Sequence, residues 1–223
     1  MKPARVTAQR RPGRPRDEAL AARRCEEILE TATRMFATRG YQDMDVQVAA
    51  DALRVGKGTV YRYFPTKREL FLAAVDRAMR LLKDHVEREA ATRSEPLDRV
   101  EAAVRAYLAF FEAHPEFVEL LILERAEFKD RKKPTYFVHR DANLGQWQDL
   151  FGALIAQGTV RDVPVARITT VLGDLLYGTM FTNFFARRAG SEAQADDILD
   201  VVLHGILTPA GQRRRAGRGG RSK

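Results

Sequence analysis

The sequence predicts an all-α chain in which an N-terminal three-helix domain with a helix-turn-helix precedes a larger helical domain. Two observations carry that expectation. Apolar residues recur at three and four positions nearly everywhere between the two ends, and Pro, Gly and capping residues cut this pattern into discrete helical lengths. One segment, Thr135–Arg140, has strand-like character, but no second strand exists to pair with it, so it is expected to be helical.

Composition bounds the rest. A chain of 223 residues, 45% apolar and 30% charged, is an ordinary globular mixture that can bury one large core or two smaller ones. Cys25 is the only cysteine, so no intramolecular disulfide can form, and a lone thiol suits a reducing compartment. No apolar run approaches the roughly 18 residues of a membrane span, and the basic start lacks the apolar core of a signal peptide. The cytoplasm, with no membrane partner, is the expected location.

The net charge of +8 is concentrated at the ends, since residues 1–16 and 211–223 each carry six Lys or Arg and no acid. Without these twelve, 26 basic residues face 30 acids, leaving the body near −4. Positive ends of this kind serve a polyanionic partner better than they serve a fold. Residues 1–16 hold three Pro and almost no apolar side chains, and are expected to be a disordered arm. The closing AGQRRRAGRGGRSK reads the same way.

The helices follow in order. Cys25, Ile28, Leu29, Ala32, Met35 and Phe36 mark a first amphipathic helix, closed by Gly40 in a left-handed cap. A short helix near 45–53 has Asp45 as its N-cap, and a turn at 54–56 leads to a second short helix near 57–63. Thr66 and Glu69 have the spacing of a capping box, Thr66 bonding the N–H of Glu69 and Glu69 reaching back. They start a long helix to about residue 90, spanning roughly 37 Å at about 1.5 Å per residue. Further helices are expected near 97–114, 117–128, 136–157, 164–188 and 192–207.

The stretch RVGKGTVYRYFPTK (54–67) contains a Gly-Lys pair that invites a nucleotide-binding reading. A phosphate-binding loop needs a glycine five residues before that pair and a strand upstream. Asp51 stands there instead, inside a helix, where an acid would repel phosphate. Two short helices joined by a three-residue turn describe a helix-turn-helix, whose second helix enters the major groove of DNA. That helix carries Lys57, Thr59, Tyr61, Arg62 and Tyr63 and no acid, while Gly58 leaves room where its N-terminus, itself favourable to anions, approaches the duplex. Lys67 adds a cation beside the same surface. Val60 and Phe64 are expected in the core. A helical hairpin with purely structural aromatics is the bland alternative.

The segment GYQDMDVQVAADALRVGKGTVYRYFPTKRELF resembles the DNA-binding region of the TetR-type repressors, the likeness running from about Ile28 to Val75. The resemblance implies that Thr59, Tyr61, Tyr63 and Lys67 contact phosphates or bases, that Lys57 and Arg62 hold variable reading positions, and that Ala50 lets the two short helices cross closely. Two positions depart from the family pattern. Arg54 replaces the usual turn glycine, costing about 1 kcal/mol if the left-handed conformation is kept. Gly56 replaces the usual capping Ser, costing a few tenths of a kcal/mol. Arg54 is a candidate for a further phosphate contact.

The resulting organisation is a basic arm (1–16), a helix-turn-helix DNA-binding domain (17–66), a helical effector-binding and dimerisation domain (67–208) and a basic tail (209–223). In the arm, Arg14 and Arg16 sit in a Gly-Arg-Pro hook thin enough for the minor groove of A·T tracts, the alternative being a solvated tail. The C-terminal Arg-Gly run is either a solubilising tail or a non-specific nucleic-acid binder.

In the second domain, aromatics on long helices make Phe111, His114, Phe117, Leu121, Glu124, Arg140, Leu144, Trp147, Phe151, Tyr177, Phe181 and Phe184 candidates for an effector pocket. Glu124 and Arg140 lie on otherwise apolar stripes, and a buried charge is costly unless paired, so they either pair with each other or line a cavity that a ligand completes. A hydrophobic effector with one polar or charged group fits. Lys129, Arg131, Lys132 and Lys133 read as a solvated loop that could also attract an acidic effector. Ile168, Leu172, Leu175, Leu176, Thr179, Ile198, Val201, Val202 and Gly205 form stripes that would join two copies in a four-helix bundle.

The expected function is a ligand-responsive regulator, a homodimeric repressor released from a palindromic double-stranded DNA operator by a hydrophobic effector, with no cofactor. His85, His114, His139 and His204 show no metal-ligand spacing, and Cys25 is expected to be inert. No nucleophile motif or carboxylate pair supports an enzyme. An architectural nucleic-acid binder driven by the tails is the other alternative, distinguished by equal affinity for specific and random DNA.

Overall fold

The computed structural model describes residues 18–204. The two basic ends, with Arg14 and Arg16, and Gly205 of the expected dimer stripe lie outside the described residues. Among those described there are nine helices and no strand: α1 (Glu18–Asp43), α2 (Val46–Ala52), α3 (Lys57–Tyr63), α4 (Lys67–Ala91), α5 (Pro96–Ala113), α6 (Pro115–Glu127), α7 (Thr135–Ala156), α8 (Val165–Ala186) and α9 (Ser191–His204). Thr135–Arg140 is helical, as expected.

Local chemistry explains most of these limits. Asp45 accepts the Gln47 N–H at 2.8 Å and Thr66 the Glu69 N–H at 3.1 Å, satisfying amides that α2 and α4 leave open. Pro96 and Pro115 stand in the first turns of α5 and α6, where a missing N–H costs nothing. At Gly40 the backbone has φ 77° and ψ 173°, a positive φ with an extended ψ rather than the left-handed cap expected, and essentially only glycine adopts it. The kink turns Tyr41 back over Phe36 and edge-on to Phe71, with ring centroids 5.9 and 5.3 Å apart.

The α2–α3 turn keeps the left-handed residue. Arg54 has φ 55°, its N–H donates to the Asp51 carbonyl at 3.0 Å, and the Val55 N–H donates to the Ala50 carbonyl at 2.9 Å. These paired bonds make a Schellman ending for α2, with an arginine in the place glycine prefers.

Ile28, Phe36, Ala49, Ala50, Val60, Phe71 and Ala74 are all fully buried and join α1–α4 into one core. Burying a side chain such as Phe71 contributes about 1.5–3 kcal/mol. α4 also packs against α5, α6 and α7, so this helix runs from the helix-turn-helix into the larger helical body. α9 is moored to the end of α5 by Glu112, whose carboxylate accepts the N–H groups of Gly190 at 2.7 Å and Ser191 at 3.1 Å. Bonds from Ser191 and Gly190 hold that carboxyl below its usual range.

Candidate DNA interface and effector cavity

Two apolar anchors fix the orientation of α3. Val60 is fully buried and Phe64 nearly so, as the sequence implied, while Tyr61 and Tyr63 pack partly against the same core. The opposite side of the helix carries exposed Gly58 and Arg62 and half-exposed Lys57 and Thr59, with exposed Arg54 at the preceding turn. The Arg62 guanidinium lies over the Tyr63 ring, 5.5 Å from its centre. The surface is therefore cationic, with no acid on α3 itself.

Two lysines are already engaged. Lys57 Nζ contacts Asp45 Oδ1 at 3.2 Å, and the Gln47 amide followed by this ammonium holds the Asp45 carboxyl below the usual range. Lys67 Nζ donates to the Gln42 carbonyl at 2.9 Å and sits 5.0 Å from the Tyr41 ring centre, tying the end of α1 to the start of α4. Its position thus serves the joint between the helices as well as the neighbouring surface. Asp45 and Lys57 stand 12 residues apart at the starts of different helices, so no helical period signals that pair.

A cavity of about 210 Å³ lies between α4, α5, α7 and α8. Of the effector-pocket candidates, Arg140, Leu144, Trp147 and Phe151 line it. Phe111, His114, Phe117, Leu121, Glu124, Tyr177, Phe181 and Phe184 do not. Phe111 and Phe117 instead flank Phe110 in a ring cluster that also takes in His114. Leu121 is buried in the main core, and Tyr177 and Phe181 continue an aromatic row along α8 from Tyr136. Period identifies the inward face of a helix but not whether that face meets a neighbour or a void. For the same reason no sequence pattern marks the α4 wall, which includes Met79, Leu82, Val86 and Glu87.

Polar groups are placed at defined points of the cavity. Lys83 bonds Glu87 at 2.6 Å and Gln146 bonds it at 2.7 Å. Burial pushes the Glu87 carboxyl up, but these two partners outweigh it and hold the group below its usual range. The hydroxyls of Tyr107 and Tyr136 are 2.9 Å apart. Burial pushes Tyr136 up to about 12 and raises Tyr107 well above its ordinary range, so both remain neutral hydrogen-bonding groups. Half-buried Cys25 also has its thiol raised by burial, which keeps it protonated and unreactive.

Glu124 and Arg140 do not pair with each other. Glu124, 2% exposed, accepts the Thr135 N–H at 3.0 Å and the Thr135 hydroxyl at 2.7 Å, and lies 3.3 Å from Arg131 Nε. It caps the N-terminus of α7, where a negative charge is favourable. Arg140 contacts Asp141 at 3.1 Å and Asp174 at 3.5 Å and stacks 4.7 Å from the Phe137 ring centre.

Large apolar side chains stand exposed on α8 and α9: Val171 (57%), Leu175 (38%), Phe185 (69%), Val201 (48%) and Leu203 (36%). Leu175 and Val201 belong to the expected dimer stripes. Ile168, Leu172, Leu176, Thr179, Ile198 and Val202 are half-buried, and Leu172 and Leu176 also line the cavity.

Residues 28–74 match the family model described as "Bacterial regulatory proteins, tetR family", and this segment is the one that builds the α1–α4 core and carries α3 on its surface. This segment is a TetR-family DNA-binding region. The transcriptional activator FasR of Mycolicibacterium smegmatis is 35% identical over 98 residues, 44% of this chain and 42% of FasR, so the alignment spans less than half of that relative. The FadR regulator of Bacillus subtilis, solved in complex with stearoyl-CoA, superposes with TM-score 0.68 at 14% identity over 82% of this chain and 99% of that one. AibR, solved with isovaleryl coenzyme A and operator DNA, superposes with TM-score 0.58 at 22% identity over 82% and 100%. At these identities the two structures establish the shared fold.

Proposed function

We propose that this chain is a TetR-family DNA-binding transcriptional regulator, a homodimeric repressor that leaves a palindromic operator when a hydrophobic effector fills the cavity. The observation that carries the reading is the orientation of α3: Val60 and Phe64 anchor it inward, and Lys57, Gly58, Thr59 and Arg62 occupy its accessible side. A helix held this way presents donors and cations to a major groove. The exposed apolar residues of α8 and α9 supply a self-complementary surface for a two-fold dimer, which places one reading head on each half-site.

The cavity bears on DNA affinity through α4, which forms part of its wall and begins at Lys67, directly after α3. An effector that prefers one tilt of α4 alters the spacing of the two heads. A preference of about 1–3 kcal/mol gives a 5- to 150-fold change in DNA affinity. FadR and AibR, similar in fold, were solved with acyl-CoA molecules, which supports an acyl chain as the occupant.

The test is a fluorescence-anisotropy titration on DNA from the gene's own upstream region and on random DNA. Tight, sequence-dependent binding by the parent that is abolished in Lys57→Ala/Tyr61→Ala supports the assignment, whereas unchanged binding refutes it.

A further inference from the structure

A second concavity, beside the cavity, is unusually basic. Arg125 at the end of α6, Lys129, Arg131, Lys132 and Lys133 in the α6–α7 loop, and Arg140 on α7 line one open cleft with Phe137. Their carboxylate partners are few: Arg131 meets Glu124, Lys133 and Arg140 share Asp141, and Arg140 also reaches Asp174. Arg125, Lys129 and Lys132 are exposed and make no ion pair among the described residues. A solvated loop gains nothing from gathering like charges around a hollow, since their mutual repulsion opposes the compact state. A multiply charged anion removes that repulsion.

Arg140 belongs to the walls of both the cleft and the apolar cavity. Its guanidinium is held against the Phe137 ring and two aspartates, so a positioned cation stands in the wall shared by the cavity and the cleft. A lone carboxylate needs one such partner. The three uncommitted cations beyond it suit several phosphate charges, which Arg and Lys bind strongly through charge-assisted hydrogen bonds.

We propose that the cleft holds the phosphate-bearing head of a coenzyme A thioester whose acyl chain passes Arg140 into the cavity. The inference rests on the effector reading above and adds a second subsite to it. The same loop is fastened to the end of α1 and the start of α4: Phe128 packs on Tyr41 and Phe71 at 4.9 and 5.3 Å, and Asp130 bonds Arg68 at 2.6 Å. The head group therefore sits on the segment that grips the start of α4.

Trp147 is the only tryptophan of the chain and lines the cavity, so its fluorescence reports occupancy directly. The full chain is titrated with octanoyl-CoA, octanoate and free coenzyme A, alongside Lys129→Ala/Lys132→Ala, a variant confined to exposed side chains. The expected result is that octanoyl-CoA binds at least tenfold more tightly than octanoate, with an affinity that falls as salt rises. The double variant loses that advantage by tenfold or more, while its octanoate affinity stays within twofold. Equal affinities for octanoyl-CoA and octanoate, or an unaltered octanoyl-CoA affinity in the variant, overturn the head subsite and leave the cavity reading standing. Failure of both chains to perturb Trp147 overturns both.

Discussion

Arg54→Gly separates the cost of the α2–α3 turn from its contribution to DNA binding. Arg54 holds φ 55°, and its backbone is fixed by the Arg54–Asp51 and Val55–Ala50 bonds. A side chain in this conformation costs about 1–2 kcal/mol. Glycine removes that strain and keeps both bonds, but its freer unfolded chain returns about 0.5–1 kcal/mol. The net expectation is a gain of about 0.5–1 kcal/mol, which in a chain of this size raises Tm by about 1–4 °C. Calorimetry at fixed protein concentration measures it, since a proposed dimer would make Tm concentration-dependent. Should Arg54 also touch a phosphate, the slope of log affinity against log salt falls by about 0.9 for each copy lost. A lower or unchanged Tm would refute the strain argument, because the side chain is exposed and its removal leaves no void.

Glu124→Ala strips two donors on Thr135 of their acceptor, and at about 1–3 kcal/mol for each buried unsatisfied group it should cost about 3–5 kcal/mol in urea unfolding; Glu124→Gln, which keeps one acceptor oxygen, should cost clearly less. Asp130→Ala severs an exposed pair worth about 0–1 kcal/mol, so stability and Trp147-reported ligand affinity should hold while the ligand-induced change in DNA affinity shrinks. The Glu112 carboxyl titrates below its usual range when folded, so its mooring of α9 is fully present above the ordinary glutamate value of about 4.3 and is lost as the pH falls through the lower folded value. Melting curves of Glu112→Gln should therefore lose part of the acid destabilisation seen in the parent, and an identical pH profile would contradict the assignment.

Local chemistry made most of the fold legible. Asp45, Thr66, Pro96 and Pro115 mark helix starts whatever surrounds them, and the inward period of α1 follows from Ile28, Leu29, Ala32 and Phe36 alone. Val60 and Phe64 likewise disclosed which side of α3 is free. Pairings between distant elements were not legible, because nothing in a helical repeat says which partner arrives from another part of the chain. Glu124 illustrates this: its stripe indicates burial, but its partners are Thr135 and Arg131 across the α6–α7 loop rather than Arg140. The cavity shares the difficulty, since empty space depends on how α4, α5, α7 and α8 are set apart, and the α4 residues on its wall look in sequence like any other core residues. Gly40 adds a smaller lesson, as its type announced a positive φ but not the extended ψ that redirects Tyr41.

The most direct measurement of the central claim is a nuclease-protection footprint of the full chain on its own upstream DNA. The account predicts a protected, two-fold symmetric site whose half-sites lie about one helical turn, or a multiple of it, apart. Its protection should vanish in Lys57→Ala/Tyr61→Ala, with folding unchanged by circular dichroism. Protection that persists in that variant, or that spreads evenly along the DNA without symmetry, would contradict it.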